Sequence, residues 1–389
     1  MPRVVVLGTV GTASVLGLAG LSTLGGGSAV VHQAAETAVK PQGQKISQPG
    51  WRIVDLTSAT TYPGDQLTDV ATVGSKDAWA VGSTGNYLNA KPLIRRWDGN
   101  SWRTVAAPPL PGGKNAVLTK VVAYSATDVW IFGNRQVGDY IGRFGFGLHW
   151  NGVTWKATDF GMATISDALV LGPRDVWVVG NHYPFTFFAR HFDGRSWKKA
   201  AIPGEPWALS ARSGKDIWAV GETWGGVSRA TVSHWNGTKW RSMPRPRPVL
   251  PRDVEYQISN VFARGAKDVW ATLTLRDQAQ GGTPAGSLLV HWNGRVWTQV
   301  RLSLRKDTLF DPTPDGQGGL WLLSFVSPTR TDVLHYSKGK ITRQKAPATQ
   351  GTTGDPQSLA LIPGTQSLWA AGDLVHRHNT VAAIYKFGS

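Results

Sequence analysis

His376 and His378 lie one residue apart, close behind Asp373. Alternate residues of an extended segment share a side, and two imidazoles with a carboxylate can hold a transition metal. Three donors from one short segment are too few to commit to, so no metal and no cofactor is assigned. A second set is spread along the chain. Asp77, Asp128, Asp175, Asp216 and Asp268 each stand two residues before a Trp, and His149, His191, His234, His291 and His335 each immediately precede an aromatic residue. A ring of acids would attract cations. One copy per repeat scatters these groups, so they cannot converge on one ion. The reading adopted is structural: the Asp fixes a turn by accepting backbone N–H groups. The His packs away from the ring that follows it.

Other chemistries are excluded or left without support. The chain has no Cys, hence neither a disulfide framework nor thiolate chemistry. It has no Gly-rich phosphate loop opening a helix and no Gly-x-Ser-x-Gly elbow. A formal charge of +16 favours anionic partners. Trp224, between Glu222 and Gly225-Gly226, suits stacking on a sugar or plugging a channel. Arg245-Pro-Arg247-Pro, with Arg252 near, reads as a stiff basic surface connection.

The elements that must position these groups are set by a ladder: Trp79, Trp130, Trp177, Trp218, Trp270, Trp321 and Trp369. Around most rungs the text recurs, as in Asp175-Val-Trp177-Val-Val-Gly180 and Asp216-Ile-Trp218-Ala-Val-Gly221. Glycine 319 and Ser367 replace the Asp in the last two repeats. Seven repeats of short apolar runs predict an all-β, seven-bladed propeller. Each unit carries four short strands. Trp97-Asp-Gly-Asn-Ser-Trp102 and Phe192-Asp-Gly-Arg-Ser-Trp197 mark the hairpin between the last two. The Asp-Gly or Asn-Gly pair supplies positive φ, and a symmetric loop makes the flanking aromatics cross-strand partners. In the Asn-Gly copies a one-residue shift of register stays open.

The seventh unit lacks a fourth strand before Ser389, whereas Gly50-Trp51-Arg52-Ile53-Val54 matches the fourth-strand text Ser101-Trp102-Arg103-Thr104-Val105. The N-terminal strand is therefore expected to complete the last blade and cover an open edge. Ahead of it, Met1-Pro-Arg3, an apolar stretch from Val4 to Val31 and Gly27-Ser28-Ala29 read as a signal peptide over 1–29, with a linker over 30–50 and the propeller over 51–389. An uncleaved anchor is the alternative. The expected location is extracellular, with no membrane contact after cleavage and a monomeric state.

The run Val81-Gly82, then Trp97-Asp98-Gly99-Asn100-Ser101-Trp102, then Pro108-Pro109 resembles the kelch repeat and the galactose-oxidase-like propellers over about 51–389. Most copies have one Gly where kelch has two, and the hairpin is shorter. More specifically, the chain resembles secreted bacterial, actinobacterial propeller proteins with Asp-Val-Trp-Ala-Val-Gly repeats, a likeness that implies no function. The copper-radical oxidation known in the wider group needs a Tyr–Cys crosslink, which a chain without Cys cannot form. The sialidase hairpin Ser-x-Asp-x-Gly-x-Thr-Trp is also absent.

Binding residues are expected on the loops joining second to third strands, which share one face with the blade connections and vary most. In the first four blades these loops carry Tyr87, Arg135, Tyr140, Arg143, His182, Tyr183, Glu222, Trp224 and Arg229. In the last three they carry Arg276, Arg330, Asp373, His376 and His378. The function expected from this is an exported, non-catalytic propeller that binds a glycan or an anionic envelope polymer. A polysaccharide hydrolase or lyase with its site at the channel mouth, and a protein-interaction scaffold with a protein partner, are the alternatives. Nucleic acid is not favoured.

Overall fold

The computed structural model describes residues 50–388 except 58–63, 86–88, 114, 138–139, 183–185, 224–228, 301, 303–306 and 378, and gives no side-chain account of 136–143. It forms seven four-stranded antiparallel sheets arranged as a β-propeller. Blade one is typical: Gln66–Gly74 innermost, then Asp77–Thr84, Lys91–Trp97 and, outermost, Trp102–Val105. Blade seven takes Thr353–Leu361, Leu368–His376 and Asn379–Phe387 from the C-terminus, and Trp51–Leu56 as its outer strand. The expected closure is present.

Up-and-down strands give the ring two unlike ends. The turns between first and second strands and the hairpins between third and fourth lie at one end, here the turn face. The second-to-third loops and the blade connections lie at the other, the loop face. Trp51 pairs with Phe387, so the closing strand starts at the turn face.

The ladder tryptophans are buried between blades. The residue opposite each on the third strand lies on its ring or beside it. His149, His191, His234, His291 and His335 lie 4.2–4.6 Å from their Trp in blades two to six. Arg96 covers Trp79 at 4.7 Å and Lys386 covers Trp369 at 5.3 Å in blades one and seven, as cation–π contacts. The aspartates do fix structure, but by other partners than backbone N–H groups. In blade four, Oδ1 of Asp216 accepts from Nε1 of Trp218 at 3.2 Å and pairs with Nε2 of His234 at 2.8 Å. Blade six, without an Asp at that place, draws its carboxylate from Asp315, 2.9 Å from Nε2 of His335.

The hairpin register is symmetric in every copy, including the Asn-Gly ones: Trp97 faces Trp102, Trp150 faces Trp155, Trp235 faces Trp240 and Trp292 faces Trp297. In the Asp-Gly and Asn-Gly copies only the Gly takes positive φ, as at Gly99 (φ 96°), whereas in blade six both Lys338 and Gly339 do. The residue before it acts through its side chain: Oδ1 of Asp98 accepts from the backbone of Asn100 and Ser101, both at 2.9 Å. Asn supplies the same oxygen, which is why the two residues interchange. The Gly that ends the ladder motif has a separate cause. A Cβ on Gly82 would stand 1.9 Å from the carbonyl oxygen of Gln66, so the inner strand could not approach.

Candidate functional site

The sequence-selected residues that the structure describes reach the loop face, where several serve the scaffold. Arg135 is buried, pairs with Asp159 at 2.6 Å and covers Phe144 at 5.0 Å. His182 lies on Phe188 at 4.6 Å with Nδ1 3.2 Å from the Met162 carbonyl. Glu222 is buried opposite Glu205. Arg276 donates to Gln257 Oε1 at 2.8 Å and to the Gly282 carbonyl at 3.2 Å. Arg330 grips Asp332 through two nitrogens, each at 2.8 Å. Arg229 is exposed at the loop end of its strand. His376 is exposed, with Nδ1 2.6 Å from the Gly351 carbonyl. Tyr87, Tyr183, Trp224 and His378 lie outside the described residues, as do the side chains of Tyr140 and Arg143. Among the described residues, no three His, Cys, Asp or Glu are placed to hold a metal ion.

Asp373 belongs to a carboxylate group at the seam of blades seven and one. It faces Asp355 across the first two strands of blade seven, and Asp65 precedes the inner strand of blade one. Burial, then repulsion from Asp355, raises Asp373 well above the ordinary range, although its Oδ1 accepts from the Leu67 backbone at 3.1 Å. Burial pushes Asp355 up to about 6 even though Thr331 donates to it. Asp65 is also raised by burial, and its Oδ1 is buried without a hydrogen-bond partner. A neutral acid beside a carboxylate is the pairing general acid–base catalysis uses. All three residues are at most 7% exposed, so a polymer reaches them only if the seam opens.

The second group lines the axis. A bulge in each inner strand, between Leu67 and Asp69 in blade one, turns one side chain toward the channel. That position holds Asp69, Lys120 and Asp167 in blades one to three, Asn260 in blade five and Ser358 in blade seven. Asp311 stands at the corresponding irregularity of blade six. Nζ of Lys120 lies 3.2 Å from Asp167 and 3.7 Å from Asp69. Burial works against its ammonium, but Asp167, Asp69 and Asp311 outweigh burial and raise its pKa. Asp311 is pushed up to about 7 by burial, with repulsion from Asp69 and Asp167 added and Lys120 opposing. These acids also join blades. Asp69 accepts from the Val121 backbone, Asp167 from Leu209 and Asp311 from Leu359, each in the next blade. Ser358 closes the circle by donating to Asp69 at 2.7 Å.

Apart from Asp373, neither group was selected from the sequence. The signal was present: a charge at the same place in otherwise apolar inner strands, Leu67-Thr-Asp-Val and Ile165-Ser-Asp-Ala. The Arg245-Pro-Arg247-Pro connection is pinned by Trp297 Nε1 on the Pro244 carbonyl at 2.7 Å and by the Tyr256 hydroxyl on the Pro246 carbonyl at 2.5 Å. The cleft beside it, about 180 Å³, is lined by Arg247, Val249 and Trp297. It is below the usual size of a small-molecule site.

No family model matches the chain, and no curated protein matches it significantly. Solved structures do share its fold. YCF48 bound to D1 peptide is 12% identical at a TM-score of 0.56, covering 88% of this chain and 98% of that one. The GH74 xyloglucanase from Xanthomonas campestris is 15% identical at 0.56, covering 83% of this chain and 53% of that one. The β-propeller domain of the Trilobed protease from Pyrococcus furiosus is 10% identical at 0.51, covering 83% and 95%. At such identities the likeness establishes the architecture alone: the chain is a seven-bladed β-propeller.

Proposed function

We propose that the chain is an exported, non-catalytic binding propeller whose loop face holds a glycan or anionic envelope polymer. One observation carries this reading: the two ends of the ring are built by different rules. The turn face repeats the aspartate clip from blade two to blade six, whereas the loop face changes its residues in every blade. A constant scaffold with one variable end is how binding surfaces are built. Export rests on the sequence of residues 1–29, and the kelch-like character on the repeat text. That YCF48 is seen with a peptide shows that this architecture can serve a binding role elsewhere.

The test is a pull-down of the protein on glycans and cell-wall polymers, followed by a salt series on whatever is retained. Retention that weakens steeply between low and moderate salt identifies an anionic polymer, and salt-independent retention a neutral sugar. Arg229→Ala should weaken either. Failure of every polymer to retain the protein would sink the proposal.

A second reading, a polysaccharide-acting enzyme, is favoured by the Asp65, Asp355 and Asp373 group. Product release from a retained polymer that disappears in Asp373→Asn would support it. No release leaves the binding reading standing alone.

A further inference from the structure

The turn face carries charge that the clips do not use. Arg174 and Arg195 in blade three, Arg212, Lys215 and Lys239 in blade four, and Lys267 and Arg295 in blade five are all exposed there. The neighbouring carboxylates are committed elsewhere: Asp175, Asp216 and Asp268 to histidines and Asp193 to Lys198. Within a blade the first-turn cation is held against the hairpin that carries the second. Gly194 lies against Arg174, Gly237 against Lys215 and Gly294 against Lys267. Between blades, Arg212 reaches to within 3.7 Å of a Cβ built on Gly265. The result is a basic arc over three adjacent blades, with blades four and five in contact through Arg212.

Apolar groups border that arc. Val296, beside Arg295 at a hairpin tip, is 53% exposed. In blade two, where the tip is uncharged, Val153 is 80% exposed and Tyr124 is 52% exposed. Tyr124 is the extra residue of the bulge before the first turn, which directs it outward. Cations alone would suit any polyanion. Cations sharing one face with exposed valines and a tyrosine suit the boundary between lipid headgroups and acyl chains. The strand Trp51–Leu56 begins at this same face, so the apolar Val4–Val31 sequence is joined to the ring here.

We propose that the turn face of blades two to five docks on an anionic lipid bilayer surface, leaving the loop face directed away from it. This revises the sequence expectation of no membrane contact. It concerns lying on a bilayer, not crossing one: among the described residues no helix is long and apolar enough to span a membrane. It also stands apart from the proposed glycan binding, which uses the opposite face.

The full chain is sedimented with vesicles of phosphatidylcholine alone, or of phosphatidylcholine and phosphatidylglycerol in equal parts. The uncharged Val4–Val31 sequence contributes alike to both, and Arg3, Lys40 and Lys45 are kept in every variant, so the loss on removing turn-face cations reads the arc. Preference for the anionic vesicles is expected, falling by roughly several hundredfold in K215A/K239A/K267A/R295A, at roughly fivefold per cation. Because the chain has no Cys, V153C and V326C each give one labelling site, at the turn face and the loop face respectively. An environment-sensitive dye should shift to the blue on anionic vesicles at the first site and not at the second. Equal partitioning into both vesicle types overturns the proposal, as does an equal shift at both sites. Capture by soluble heparin with no dye shift on vesicles also overturns it, and assigns the arc to a soluble polyanion.

Discussion

Trp51 stands edge-on to Trp321, with ring centroids 5.7 Å apart and planes at 89°. The outer strand of blade seven thus touches blade six as well as its own sheet, and Asp55 on the same strand pairs with Arg95 of blade one. The strand therefore acts on three blades. Deleting residues 46–56 should lower the melting temperature sharply, and Trp51→Ala alone should cost about 2 to 3 kcal/mol from lost burial and ring contact. Calorimetric melting checks both; an unchanged melt for the deletion would show that the ring closes without the strand.

The aspartate clips should matter for stability and not for ligand. Asp216→Ala leaves Nε1 of Trp218 and Nε2 of His234 without their shared acceptor. A loss of about 2 kcal/mol is expected. Denaturant melts read this, and binding at the loop face measured on the same protein should be unaltered.

Asp311 sets a pH dependence. Its native pKa is raised to about 7 from an unfolded value of 3.8. Between those values the folded state holds the proton and the unfolded state does not, so stability falls as pH rises through the window. Asp355 and Asp373 act in the same direction. Asp311→Asn should therefore raise stability at pH 8 by about 1 to 2 kcal/mol and change little near pH 5. Water moderates the size of the effect, since the Lys120 side chain keeps 31% of its exposure in the channel. Melting temperature across the range is the measurement; a variant less stable than wild type at pH 8 would contradict it.

Asp332 is fully buried under two arginines, Arg330 and Arg343, and Arg343 also reaches Asp307. Asp332→Ala strands both guanidiniums and should cost about 3 kcal/mol. Asp332→Asn should cost less by keeping acceptor geometry. Comparing the two by urea melts separates lost charge from lost shape.

The sequence made the architecture legible because each repeat answers to one local cause. Trp218 must be buried, Gly82 must let a strand approach, and Asp98 must cap a hairpin. The closing strand was legible because Trp51-Arg52 copies Trp102-Arg103. The site was less so. Arg135 looked like a free binding cation, but its partner Asp159 lies where strand pairing, not spacing, brings it; Asp332 stands two residues after Arg330, yet its burial beneath Arg330 and Arg343 shows only in the fold. Asp69, Lys120, Asp167 and Asp311 meet across the axis from four blades, and no linear pattern expresses that meeting. Arg96 and Lys386 fill the place of the histidines through cation–π contact, a substitution visible only once the Trp beneath is known.

The pairing of Trp51 with Phe387 also sets an order of events during synthesis. The strand Trp51–Leu56 has no partner to join until Asn379–Phe387 has left the ribosome. Six blades can assemble as they emerge, while the seventh and the circle wait for release. A chain held open in this way stays threadable, which suits a protein whose first residues read as an address for translocation.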